Sequence, residues 1–171
     1  VSGADATAFL HGQFCADLLS LPADAGCLTA WCTAKGRVIT TLFVFRRAED
    51  WLLILPANLA ARITQRLRVF VLRADVKLHP PAADTVLLGL DAGATGALDP
   101  EQQRRLLRHP AEDAQRTRFF LPDAAAPHSS PIGMRDWARF DVEAGLPWVD
   151  AGTSENFLPQ ELNLDRWVGL S

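Results

Sequence analysis

The chain has 171 residues, of which 49% are hydrophobic and 22% are charged, and its formal net charge is −3. This length and composition suit one globular domain, or one domain and part of another, with enough apolar surface to form a core. The negative charge and the dispersed arginines argue against direct nucleic-acid binding. The longest apolar runs, WLLIL and VFVL, are far shorter than the about 20 residues that span a membrane.

The opening segment, VSGADATAFLHGQ, has the pattern of a short helix that Ser2 or Asp5 can cap. It lacks the basic and apolar regions of a signal peptide and does not begin with Met, so we expect a fragment of a longer, cytoplasmic protein. β-rich runs follow at 27–34 and 37–47, and the Lys-Gly turn between them predicts a hairpin. The second run is apolar on both faces, as is typical of a central, covered strand, and WLLILP predicts a third strand.

Residues 57–72 have the period of an amphipathic helix capped near Asn58. Its predicted apolar stripe consists of Leu59, Ile63, Leu67 and Phe70. The segments VKLH, TVLLGL and RTRFFL predict strands, and PEQQRRLLRH predicts a polar helix. The Pro-bounded stretch 122–131 predicts a linker loop between a first part, 1–121, and a last part, 132–171. Helices that alternate with hairpin-joined strands indicate an α+β fold with a mainly antiparallel sheet.

The segment after the linker, 134–144, predicts a short helix that ends at a glycine. At about 100° per residue, Trp137 lies on its broad apolar face and Glu143 lies at the edge of that face. Periodicity alone favours a core tryptophan and an Arg139–Glu143 surface pair worth about 0.2–0.5 kcal/mol. The alternative is that Trp137 and Glu143 line a ligand pocket.

Sequence motifs of the common catalytic and metal sites are missing from the chain. It has no dinucleotide-binding glycine motif, no P-loop, no nucleophile elbow and no HExxH. The three cysteines, Cys15, Cys27 and Cys32, form no CxxC and, with four dispersed histidines, no zinc signature. We therefore expect free, reduced thiols that are not bonded to one another, no metal site and no catalytic residue.

Several stretches in a fixed order resemble one protein family. The opening VSGADATAFLHGQFCADL, the turn CTAKGRV, and the later segments WARFDVEAGLP and FLPQELNL are similar to motifs of the folate-binding YgfZ family, whose relatives include the glycine-cleavage aminomethyltransferase. The matches extend over essentially the whole chain. The family's signature Lys-Gly-Cys-Tyr-x-Gly-Gln-Glu, and a C-terminal barrel domain, are expected beyond Ser171.

The resemblance implies an aminomethyltransferase-like folate-binding fold with mainly antiparallel sheets and packed helices. In this family tetrahydrofolate or a derivative occupies a central channel, and the residues matching Glu143 and Trp137 belong to its site. A carboxylate can accept two adjacent N–H groups of a pterin, and an indole can stack on a flat ring. Trp137 and Glu143 are therefore the expected cofactor-binding residues.

Two adjacent positions separate this chain from the aminomethyltransferases. They carry paired aspartates where this chain has Thr40 and Thr41, and threonine cannot supply a carboxylate. YgfZ proteins also lack the acid. The resemblance therefore implies a folate-binding protein that supports assembly or maintenance of iron–sulfur enzymes, including tRNA-modifying ones. Its expected partners are iron–sulfur proteins. Two alternatives stay open: a folate-dependent aminomethyltransferase or other one-carbon transferase, and a non-catalytic interaction domain without a ligand.

Overall fold

The computed structural model describes residues 1–80, 87–109, 118–122 and 133–168. The chain divides into two compact units, Val1–Pro80 with Pro147–Ser171, and Pro81–Leu146. Helices and antiparallel sheets occur in both, which confirms the predicted α+β class. The predicted linker at 122–131 lies outside the described residues, apart from Pro122 at the end of a strand.

The first unit begins with helix α1, Ala6–Gln13, as predicted. The predicted side-chain cap is wrong. Asp5 occupies the N-cap position, but its carboxylate accepts a hydrogen bond from the Asp75 backbone N–H at 2.8 Å instead of from the helix. The Ser2 hydroxyl is bonded to His79 Nε2 at 2.8 Å. Both polar side chains thus join the N-terminus to residues about 70 positions later, which short-range capping rules do not consider.

A three-stranded antiparallel sheet forms the centre of this unit. Its strands are β1, Gly26–Cys32, β2, Val38–Arg46, and β3, Trp51–Ile54, in the order β1-β2-β3. All residues of β2 except its last are buried, which confirms the predicted central strand. The hairpin turn is also confirmed, because Gly36 has a positive φ of 77°, a conformation that glycine adopts without steric cost.

Helix α2, Ala57–Val71, follows β3. Three residues of the predicted stripe are buried, but Phe70 is 46% exposed and lies edge-on to Trp31. The cap at Asn58 is wrong, because the helix begins after Pro56 and the Asn58 amide donates to Asp150 Oδ2 at 3.4 Å. The strand predicted at VKLH is wrong too, since only Lys77 makes a single bridge to Ser2.

The segment 149–157 is hydrogen-bonded along β2. Val149 N–H donates to Thr41 Oγ1 at 2.9 Å, and Thr40 Oγ1 donates to the Val149 carbonyl at 3.2 Å. Further along, Glu155 N–H donates to the Val38 carbonyl at 2.7 Å. The two adjacent threonines therefore hold this segment by hydrogen-bonding to both the N–H and the carbonyl group of Val149.

Replacing Thr41 by valine is expected to lower the free energy of unfolding by about 1–3 kcal/mol, because it leaves the buried Val149 N–H without its acceptor. Urea denaturation measures the change. Thr64→Val is the matched control, since the Thr64 hydroxyl only adds a bond to a carbonyl of its own helix at 2.8 Å. Equal stabilities for the two variants would contradict a structural role for the Thr41 hydroxyl.

The second unit contains another three-stranded antiparallel sheet. Its strands are β4, Leu87–Asp91, β5, Leu107–Arg108, and β6, Arg118–Pro122, in the order β4-β6-β5. The predicted helix at PEQQRRLLRH is only partly formed. Helix α3, Pro100–Arg104, is capped by Asp99, but the chain then enters β5 because pairing with β6 replaces further helical bonds.

Helix α4, Met134–Glu143, confirms the prediction at 134–144, and Gly145 follows it with φ of 68°.

None of the helices in the described ranges combines the length and the apolarity needed to cross a membrane.

Candidate functional site

Trp137 packs directly on the backbone of strand β4. A Cβ atom at Gly89 would lie 2.3 Å from Trp137 Cζ3, so the ring occupies space that any side chain at position 89 would fill. The six-membered part of the indole approaches the glycine most closely. The absence of a side chain at Gly89 therefore sets the position of a half-buried tryptophan.

Three buried side chains of the second unit surround the indole. The Phe120 ring lies 5.4 Å and the His109 ring 5.7 Å from it, measured between centroids. The Arg118 guanidinium carbon lies 5.0 Å from the ring centroid, within the range of a cation–π interaction. The side chain of Trp137 is thus positioned by the sheet, the two aromatic rings and one cation.

A buried ion pair joins helix α4 to strand β6. Arg118 Nη1 donates to Asp141 Oδ1 at 2.5 Å, and the residues are only 2% and 3% exposed. His109 Nε2 is 3.8 Å from the same carboxylate oxygen. Sequence reasoning missed this cluster, although an acid on the apolar face of an amphipathic helix is a signal, because a buried charge requires a partner.

Glu143 has different surroundings from Trp137, although both residues belong to α4. Its side chain is 50% exposed and accepts a hydrogen bond from Arg139 Nε at 2.9 Å, one helical turn earlier. An exposed pair of this kind contributes little and is easily exchanged for another partner. The carboxylate of Glu143 is therefore open to solvent and can accept donors from a ligand.

Thr40 and Thr41, which the resemblance places where aminomethyltransferases carry paired aspartates, are fully buried. Their hydroxyl groups are bonded to the peptide groups of Val149. Thr40 Oγ1 also lies 3.0 Å from the Thr41 carbonyl. These hydroxyls therefore serve the packing of the chain, and no carboxylate occupies these two positions.

The thiols of Cys15 and Cys32 lie 3.7 Å apart, although the residues are 17 positions apart in sequence. The hydrogen bond between the thiols lowers the pKa of Cys15 and, with burial, raises the pKa of Cys32. Cys27 stands apart, and burial raises its pKa to about 11. Within the described part of the chain, no group of three or more His, Cys, Asp or Glu side chains could hold a metal ion.

Comparison with known proteins finds similar proteins that share one name. No protein-family model matches the chain. The tRNA-modifying protein YgfZ of Edwardsiella ictaluri is 30% identical over 194 residues, which cover 100% of this chain and 58% of that protein. Its namesake from Pectobacterium atrosepticum is 29% identical and is matched over 99% of this chain and 57% of its own length. The chain thus spans a little more than half the length of these curated relatives.

Among solved structures, glycine cleavage system aminomethyltransferase T from Bartonella henselae superposes with a TM-score of 0.55. The superposition covers 84% of this chain and 41% of the other, at 18% sequence identity. At that identity the likeness concerns the fold alone, and it confirms the expected aminomethyltransferase-like architecture.

Proposed function

We propose, on the premise that this chain is a homologue of the YgfZ proteins along its whole length, that it binds tetrahydrofolate or a derivative. In the cytoplasm, the whole protein would use this binding to support the assembly or maintenance of iron–sulfur enzymes, including tRNA-modifying ones. Since the chain spans 58% of its relative, that wider activity and its iron–sulfur partners belong to the proposal.

The observation that carries the proposal is the chemistry presented by helix α4. Glu143 offers an exposed carboxylate whose described partner is one surface arginine, and Trp137 offers an indole held in place by Gly89. A carboxylate matches the adjacent N–H donors of a pterin, and an indole suits stacking with an aromatic ring. An acceptor for N–H donors and an aromatic ring on one helix are therefore what supports the proposal.

In this proposal the residues of the chain bind the folate and do not transfer the aminomethyl group. Glu143 exchanges Arg139 for the N–H donors of the pterin, and Trp137 contributes a flat apolar surface. When bound, tetrahydrofolate supplies a carrier of one-carbon units. The buried hydroxyls of Thr40 and Thr41 are bonded to the backbone, so these positions provide no general base, and the one-carbon transferase alternative is less well supported.

Glu143→Ala is expected to weaken tetrahydrofolate binding by roughly ten- to hundred-fold, because it removes charge-assisted hydrogen bonds worth about 1.5–3 kcal/mol. Isothermal titration of the full-length protein measures the affinity. Arg139→Ala is the matched control, since it breaks the same surface pair and keeps the carboxylate. That variant should bind as the wild type does, or more tightly.

The titration results distinguish the proposed folate site from its alternatives. If Glu143→Ala binds tetrahydrofolate like the wild-type protein, the carboxylate belongs to a surface pair only. If the wild-type protein itself binds no folate, the alternative of an interaction domain without a ligand replaces the proposed function.

A further inference from the structure

Main-chain hydrogen bonds bring the exit of helix α1 beside the end of strand β1. Phe14 forms an antiparallel bridge with Trp31, and Cys15 N–H donates to the Ala30 carbonyl at 3.0 Å. These bonds place Cys15 beside Cys32, so that their Sγ atoms are 3.7 Å apart. Both residues are half-buried.

The two sulfur atoms, 3.7 Å apart, are in contact but not bonded. A disulfide bond measures about 2.05 Å, so the sulfur atoms need to approach by about 1.7 Å. Side-chain rotation can supply this movement while the bridge at Phe14 and Trp31 stays in place. The arrangement differs from a chance meeting of surface thiols, because paired backbone segments hold it.

We propose that Cys15 and Cys32 form a redox-active dithiol site that reacts with low-molecular-weight disulfides to give an intramolecular disulfide. In the first step the Cys15 thiolate attacks one sulfur of the small disulfide, which forms a mixed disulfide and releases one small thiol. In the second step Cys32 loses its proton to solvent and attacks Cys15 Sγ, which releases the second small thiol. Two protein thiols are oxidised and one small disulfide is reduced to two thiols.

The three cysteines differ in their suitability for this reaction. The hydrogen bond from Cys32 lowers the pKa of Cys15, which raises its thiolate fraction at neutral pH and favours it as the first nucleophile. Cys32 keeps its proton until Cys15 has reacted, because the same contact raises its pKa. Burial raises the pKa of Cys27 to about 11, so this thiol should remain inert.

The disulfide would join two segments whose cysteines are 17 positions apart in sequence. Cys15 lies two residues after the end of α1, and Cys32 ends β1 at a register shift of the hairpin, just before its turn. Oxidation would close the loop between them and lower the entropy of the unfolded chain. The oxidised protein should therefore melt at a higher temperature than the reduced protein.

Glutathione disulfide is the probe for the test, applied in excess to the reduced full-length protein at neutral pH. Non-reducing peptide mass spectrometry should show the Cys15 and Cys32 peptides linked, with the loss of two hydrogens and no retained glutathione. Cys27→Ser is the matched control and should give the same linked product. Cys32→Ser should instead stop at Cys15 carrying glutathione, since the resolving thiol is missing.

Two results would overturn the inference. The first is that Cys15 and Cys32 stay unmodified while Cys27 reacts with the glutathione disulfide. The second is that wild-type protein retains glutathione on Cys15 without forming the link, which would mean that the sulfur atoms cannot meet. Because the readout is peptide mass, neither result depends on folate binding.

Discussion

Asp141→Ala lowers the free energy of unfolding by about 3–5 kcal/mol in our expectation, because it leaves the Arg118 guanidinium buried without its counter-charge. Removing one partner of a buried pair is costly, since the other charge then bears its desolvation cost without a compensating attraction. The cation also lies against Trp137, so the change should reach the candidate site. Urea denaturation followed by circular dichroism measures the loss.

Two further variants make this prediction specific. Glu143→Ala breaks the exposed pair of the same helix and should cost no more than about 0.5 kcal/mol. The double variant Arg118→Met with Asp141→Leu removes both charges and should recover much of the stability, because apolar residues of similar volume often replace buried ion pairs well. An Asp141→Ala protein as stable as the Glu143→Ala protein would contradict a buried, charged pair.

Trp137→Ala should lower the free energy of unfolding by about 3 kcal/mol, the lower end of the range for aromatic side chains, because the ring is half-buried. It should also weaken tetrahydrofolate binding roughly two- to ten-fold, the value of about 0.5–1.5 kcal/mol of lost aromatic stacking. Thermal melting and titration of the folded full-length protein measure the two effects separately.

Gly89→Ala tests the position of the ring without removing it. The added methyl group would overlap the indole, at 2.3 Å from Cζ3, and so displace Trp137. The proposed site therefore predicts weaker folate binding in this variant, whereas Trp137→Phe should retain part of the affinity. If Trp137→Ala loses stability and keeps its folate affinity, Trp137 is a core residue only.

Local sequence patterns were sufficient for the elements whose stabilising contacts are close in sequence or repeat regularly. The β1–β2 hairpin follows from two β-rich runs and a glycine turn, and the buried, two-faced apolar pattern of β2 indicates its central position. The limits of α4 follow from its periodicity and from Gly145. The exposed pair between Arg139 and Glu143 was predictable for the same reason, since its partners are one helical turn apart.

Polar side chains were the main source of error in the helix caps predicted from the sequence. Asp5 and Asn58 suit helix caps by residue type, yet both bind residues brought near by folding. Helix α3 is short because pairing of β5 with β6 overrides the helical preference of the following residues. In each case a tertiary partner competes successfully with the local one.

The α+β class, the hairpin, the helix that carries Trp137 and Glu143, and the family resemblance all followed from the order of the residues. The pairing of Asp141 with Arg118, 23 residues earlier, and the contact of Cys15 with Cys32 became known from the folded chain. Helices and turns depend on groups a few residues apart, whose spacing the sequence displays. The partner of a buried charge or thiol depends on which distant segments pack together, and that is set by the burial of the whole apolar core.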